Sequence, residues 1–167
     1  MATWTEFEAA SPELAVAGRR LIYRTETGEA LLATVRGDDP PRIHPIWVGI
    51  VDGRLYAFIL SSAKRTDLNR DGRYALHAHL DPAAPSEFSV RGRAQVIEDA
   101  AVRSAVAAQW YFEADDSYQL FEFFIEAAVL GTRKDPDEWP PRYSSWTARG
   151  RNGGIGRIAG ASARTRR

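Results

Sequence analysis

Hydrophobic residues in this chain fall into short runs divided by Gly-, Pro- and Asp-rich punctuation, a spacing that suits strands better than long helices. Ala30–Arg36 (ALLATVR) is apolar and partly β-branched, and it ends in the turn chemistry of Gly37-Asp38-Asp39-Pro40-Pro41. Arg42–Val51 (RIHPIWVGIV) reads as a second strand. It closes on Asp52-Gly53, which favours the positive φ values of a tight hairpin turn, so Arg54–Leu60 (RLYAFIL) is expected to return antiparallel. Tyr74–Leu80 (YALHAHL) alternates apolar residues with histidine and reads as a fourth strand. Ser86–Glu98 (SEFSVRGRAQVIE) reads as a fifth, where Gly92 marks a bulge or a close backbone approach. Tyr118–Arg133 fits helix or strand by pattern. Its β-branched and aromatic content, Gly131 and the need to close a sheet favour a strand, and Tyr143–Ala148 makes a short last one.

Three segments read as helices. Ser11-Pro12-Glu13 is a helix start, with Ser to cap free amides, Pro at the first position and Glu at the positive dipole end, and the helix should run to about Arg24 before Thr27-Gly28 breaks it. Ser61–Gly72 (SSAKRTDLNRDG) is polar, opens on serines and ends on Gly, and reads as a short capped helix. Ala100–Phe112 has helical composition, with Val102, Val106 and Trp110 at four-residue spacing. Asp81–Pro85 and Pro136–Pro141 read as Pro-rich loops. Six or seven strands in meander order with few helices between them predict a mainly β (α+β) antiparallel barrel. No Gly-rich strand-to-helix turn is present to support a doubly wound sheet.

Composition narrows this reading. At 167 residues the chain fits one domain, expected over 1–148, and the absence of cysteine removes disulfides, thiolate metal sites and cysteine nucleophiles together. No apolar run approaches the ~20 residues that span a bilayer, and the acidic start MATWTEFEAASPE lacks the basic region of a signal peptide. A cytoplasmic protein without membrane contact is expected. The formal net charge is +0, yet residues 149–167 carry six arginines and no acid. That tail (RGRNGGIGRIAGASARTRR) offers little to pack and is expected to be disordered; nucleic-acid binding is not expected of it.

Several residues carry candidate chemistry. Ser61, Ser62 and the first amides of the helix after them offer hydroxyls and a positive dipole end, and Arg42 and Lys64 supply charge; these form either an anion cradle or a helix capped by its serines beside two solvated basic side chains. Strand alternation puts Arg42, His44 and Ile46 on one face and Ile43, Pro45 and Trp47 on the other, and Pro45 places the strand at an edge or bulge because it cannot donate to a ladder. His44 reads as a hydrogen-bonded wall residue, with proton donor and haem ligand as alternatives. His77 and His79 share a strand face but no acid stands beside them at ligand spacing, so no metal is assigned. Trp110, Tyr111 and Phe112 read as core or interface, or as the lining of a substrate pocket.

The block Leu32–Leu80 resembles the pyridoxamine 5′-phosphate oxidase-like, FMN-binding split β-barrel family. The resemblance rests on the order of elements, the Arg42-Ile43-His44-Pro45 strand, the Ser62-Ala63-Lys64 turn and the Asp67-Leu68-Asn69-Arg70-Asp71-Gly72-Arg73 helix end, and the pattern can be followed to the Trp146 strand. It implies a split barrel, a homodimer with FMN between the subunits, phosphate binding by Arg42 and Lys64, and flavin oxidoreductase activity on a small molecule. Ser61, Ser62, Arg65, Ile43, His44 and Pro45 would complete the cofactor site. Glu87, Arg91, Arg93 and Trp146 would approach it from the partner subunit. The oxidase itself carries Ser-Arg-Lys where this chain has Ser62-Ala63-Lys64, and its closing Arg-x-His substrate motif is absent, so oxidation of pyridoxamine phosphate is not implied. Ala63–Leu68 also resembles the deazaflavin (coenzyme F-420) branch, whose polyanionic tail Arg65, Arg149 or Arg151 would serve. A non-catalytic flavin or haem carrier is the remaining alternative.

Overall fold

The computed structural model describes residues 1–80, 86–133 and 138–148. The calls on Asp81–Pro85, on the first part of Pro136–Pro141 and on the tail fall outside them. The described chain runs α1 (Trp4–Ala10), α2 (Pro12–Ile22), β1 (Glu29–Arg36), β2 (Asp39–Trp47), β3 (Gly49–Val51), β4 (Arg54–Ile59), α3 (Ala63–Arg70), β5 (Arg73–Ala78), β6 (Glu87–Val96), α4 (Ala100–Ala107), β7 (Gln119–Thr132) and β8 (Arg142–Thr147).

All strand pairs are antiparallel, in the order β2-β1-β5-β6-β7-β4-β3, with β8 added along β7. The two ends of that path, β2 and β3, are consecutive in the chain and joined through Val48 alone. The sheet therefore curls back on itself. Between β2 and β4 the ladder lapses, because the chain changes partner at Val48 from β1 to β4, and this lapse is the split of the barrel. The meander expectation holds for β1 through β4 and again for β5 through β7. It fails between them, since α3 carries the chain across and β4 pairs with β7 instead of β5.

The barrel interior is filled by the inward residues of every strand, among them Leu32, Leu55, Leu76, Phe88, Phe123 and Ile125, each fully buried. One end is sealed by α1 and α2, which send Trp4, Phe7, Leu14 and Ile22 into the same core. Helix α1 was not anticipated from sequence. Thr3 caps it in a reciprocal box with Glu6, and the Ala2 amide and carbonyl pair with Ile125 on β7. Helix α2 begins at Pro12 as expected, but the Ser11 side chain makes no capping bond.

A second core lies outside the barrel, where Tyr56 and Phe58 of β4 and Leu120 of β7 pack under Val106 of α4. Strand β4 is thus buried on both faces, which explains its near-continuous apolar sequence. Helix α4 is capped by Asp99, which accepts from the Ala101 and Val102 amides, and it ends at Ala107 instead of Phe112. Its last turn tightens through i to i−3 bonds at Gln109 and Trp110, and Trp110 then folds back onto Phe58. Packing overrides composition there. Strand β2 begins at Asp39, so Asp39–Pro41 belong to the strand and the turn shrinks to Gly37-Asp38. The expected irregularity at Gly92 is present: the β6/β7 register shifts between Arg91 and Gly92, and a Cβ on Gly92 would stand 2.0 Å from the Phe124 carbonyl oxygen.

Candidate functional site

A cleft of about 660 Å³ opens at the split. It is walled by Pro45, Ile46 and Trp47 of β2, by the Phe58–Ser62 exit of β4, by Lys64 of α3, by Glu29 and His79, and by Phe112 and Tyr118 from the α4–β7 connection. The volume suits a cofactor-sized ligand. Its position follows from sequence: Pro45 has no N–H to extend a ladder, and the backbone it would have paired with turns away at Val48.

One end of the cleft favours anions. The ammonium of Lys64 donates to the Pro45 carbonyl at 3.3 Å and has no carboxylate partner among the described residues, and burial holds its pKa below the ordinary lysine value. Ser62 stands at the N-cap of α3 but does not cap it; its hydroxyl donates to the Leu60 carbonyl instead. Ser61, Ser62 and Lys64 at the start of α3 line the cleft, and the first turn of that helix carries no acidic residue to offset its positive dipole end.

Arg42 does not line the cleft. Its guanidinium lies 3.7 Å from the buried carboxylate of Asp67, which also accepts a 2.9 Å bond from Thr34. His44 stands between these groups on the inner face of β2, half-buried, with its Nε2 buried and without a partner among the described residues. Burial first, then the nearby cations Lys64 and Arg42, push its pKa below the ordinary histidine range, with Asp67 opposing them. The imidazole is therefore neutral at pH 7. The expected alternation of β2 is observed, with Arg42, His44 and Ile46 inward and Ile43, Pro45 and Trp47 outward.

The other expected site residues are dispersed. Arg65 turns from the cleft to donate to the Ser117 carbonyl at 2.9 Å and borders a separate surface groove of about 350 Å³ with Asn69 and Asp116. Ile43 is 70% exposed on the outer sheet face. Arg91 and Arg93 are exposed on the same face of β6, while Trp146 is buried in the chain's own core against Phe7, ring centroids 5.0 Å apart. His77 does have an acid beside it, contrary to the sequence spacing: Glu87 on the neighbouring strand lies 3.9 Å from its Nε2 and accepts a 2.5 Å bond from the Tyr143 hydroxyl. Strand pairing, not chain distance, makes that contact. Groups of three or more metal-ligating side chains are absent among the described residues.

On the far side of the cleft, Phe112 was read from sequence as pocket lining only as an alternative to core or interface, and Tyr118 was missed. Phe112 and Tyr118 face Trp47, with Phe112 centroids 5.6 Å from Trp47 and 5.0 Å from Tyr118. This wall is clamped from behind. The Tyr111 hydroxyl donates to the Val48 carbonyl and accepts from the Gly28 amide, Arg103 holds the carbonyls of Ala114, Asp115 and Tyr118, and Trp110 fills the space a side chain at Gly49 would need. Gly49 and the WYF triplet were the available signals.

An antiparallel sheet that curls back on itself but stays unpaired between its ends, with a cleft at that split, defines the class: the protein is a split β-barrel. Its resemblance in structure is to proteins of the pyridoxine-phosphate oxidase type. A Clostridium acetobutylicum protein related to general stress protein 26, of the pyridoxinephosphate oxidase family, superposes with a TM-score of 0.59 at 13% identity, over 80% of this chain and 93% of that one. A NimC/NimA family protein from the same organism gives 0.57 at 19%, over 80% and 96%. A haem-binding protein from Mycobacterium smegmatis gives 0.58 at 18%, over 78% of this chain and 57% of that one, so this chain spans just over half of it. No protein-family model and no curated protein sequence matches the chain.

Proposed function

We propose that this protein is an FMN-binding oxidoreductase of the pyridoxamine-phosphate-oxidase-like family that acts on a small molecule as a homodimer. The observation that carries the reading is the cleft at the split: an anion-seeking end built from Lys64, Ser61, Ser62 and the uncapped start of α3, continued by an apolar aromatic wall. A planar ring carrying a phosphate fits that order of chemistries. Lys64 would hold the phosphate directly, Arg42 would add positive potential from behind Asp67, and neutral His44 would border the pocket without adding charge. The bound flavin would supply hydride and electron transfer, while the protein orients the ring and keeps water from one of its faces. The second subunit is supported by the outer sheet face, where Leu31, Ile43, Trp47 and Val129 are exposed and apolar beside the cleft, as is common for an isologous interface. A deazaflavin reductase uses the same anion end and is the nearest alternative.

Haem carriage is favoured by one observation, the buried and unpartnered Nε2 of His44, together with the likeness to a haem-binding protein. The absorption spectrum of the purified protein, followed by titration with FMN, deazaflavin and haem, separates the readings. Saturable FMN binding with a flavin spectrum is expected. Binding of haem in preference to both flavins would overturn the oxidoreductase reading.

A further inference from the structure

Besides Lys64 and the serines, the cleft carries an acid on its wall. Strand pairing sets Glu29 directly across from Trp47, and continuing the β1/β5 register one residue past Ala30 and Ala78 sets it beside His79. Cross-strand neighbours project from the same face of a sheet, so Trp47 on β2, Glu29 on β1 and His79 just past the end of β5 fall in one row, and all three line the cleft. Trp47 is 52% exposed, which leaves part of its ring open beyond its contact with Phe112. Glu29 makes no ion pair among the described residues; its polar contact is the Thr27 hydroxyl at 3.5 Å. Arg24, the nearby cation, is engaged with the His79 carbonyl.

We propose that the Trp47–Glu29–His79 row is a recognition subsite for a planar, positively charged or N–H-bearing nitrogen group, and that it sets the substrate class of the cleft. The electron-rich indole face attracts a flat cation, and the adjacent carboxylate accepts its N–H donors in a charge-assisted, two-pronged contact. The His79 imidazole lines the same part of the cleft and offers a ring nitrogen as a further polar partner. The aromatic wall restricts the group to a flat one, since Phe112 and Tyr118 are fixed by the contacts of Tyr111 and Arg103. As a substrate assignment this rests on the flavoenzyme reading, but the subsite itself does not require a flavin.

Benzamidine and benzamide test it, being flat, soluble and nearly isosteric, with and without the charge. Titrated into the full chain with and without FMN, and followed by calorimetry, benzamidine should bind at least about tenfold more tightly than benzamide. Glu29→Gln should reduce that preference to less than about threefold while leaving melting temperature unchanged, and Trp47→Leu should weaken both probes. Equal binding of the two probes by the wild type, or a preference that survives Glu29→Gln, overturns the subsite. Failure of FMN to bind while the benzamidine preference persists overturns the flavoenzyme reading and leaves the subsite standing.

Discussion

Strands β7 and β2 belong to one sheet and bury opposite things. β7 is central: it pairs with β6 on one side and with β4 and β8 on the other, and Phe121, Phe123 and Ile125 enter the barrel core while Leu120 enters the second core. β2 pairs only with β1, contains three prolines, and leaves Ile43 and Trp47 exposed. The difference teaches where stability and recognition reside. Burial at β7 removes apolar surface from water, whereas β2 leaves the apolar side chains of Ile43 and Trp47 exposed.

The largest expected effect is therefore at β7. Phe123 is fully buried and meets Tyr74 edge-on at 4.9 Å, so Phe123→Ala should cost about 3–5 kcal/mol in urea unfolding. Trp47→Ala removes a larger ring but should cost under about 1 kcal/mol, because half of that ring is already in water. Equal losses would erase the distinction between the strands.

A pH-dependent loss sharpens it. Glu122 on β7 is 3% exposed and accepts a 2.7 Å bond from Arg54; burial pushes its pKa up even though the Arg54 bond pulls it down. A carboxyl whose pKa is raised by folding binds its proton more tightly in the native state, so its contribution to stability declines as pH rises above the ordinary glutamate value. Arg54→Ala removes the compensating charge. It should cost about 1–3 kcal/mol at pH 7, the half-exposed guanidinium placing it below a fully buried pair, and the loss should shrink as pH falls toward 4.5. A penalty independent of pH between 4.5 and 7 would mean that Arg54 acts by packing alone.

The contrast between the two strands also explains what the sequence made legible. Local chemistry announced the Asp52-Gly53 hairpin, Pro12 at the head of α2, the Gly92 irregularity and Pro45 at an edge, since each depends on one residue's backbone limits. The Thr3-x-x-Glu6 box that starts α1 was equally local and was passed over. Long-range events left no such mark. Nothing near Ala107 says that Trp110 will abandon the helix for Gly49, and nothing in the spacing of His77 foretells Glu87 on the next strand. At the cleft, Pro45, Ser61, Ser62 and Lys64 were readable as a motif, whereas Glu29, His79 and Phe112 reach it only through strand register and a connection packed from behind.

Two residues of the anion end separate direct contact from field. Lys64 faces the cleft with no carboxylate partner among the described residues, and Arg42 is committed to Asp67 off the wall. Lys64→Ala should weaken FMN by roughly 10- to 150-fold, equivalent to about 1.5–3 kcal/mol, and Arg42→Ala by less. Because burial lowers the Lys64 pKa, wild-type affinity should begin to fall at a lower pH than an exposed lysine would dictate. Fluorescence titration of flavin across pH measures both effects, and an Arg42→Ala loss larger than that of Lys64→Ala would place the phosphate beside Arg42.

The smallest effect on the fold, and the sharpest on assembly, is expected at Ile43. Its side chain is 70% exposed on the outer face of β2, opposite Ala33, so a polar replacement removes almost no buried area within the chain. Ile43→Asp should leave the far-UV circular dichroism of the protein unchanged. If a second copy covers this face, the same substitution places an unpaired carboxylate in an apolar interface, where desolvation without a partner costs several kcal/mol and separates the subunits. Light scattering should then give a dimer mass for the wild type at micromolar concentration and half that mass for Ile43→Asp. FMN affinity should fall with the mass, because a cleft bordered by Trp47 and Pro45 on that outer face loses whatever the second subunit contributes to it. A wild-type protein that is monomeric throughout, and binds FMN as such, would show that the exposure of β2 serves the ligand alone.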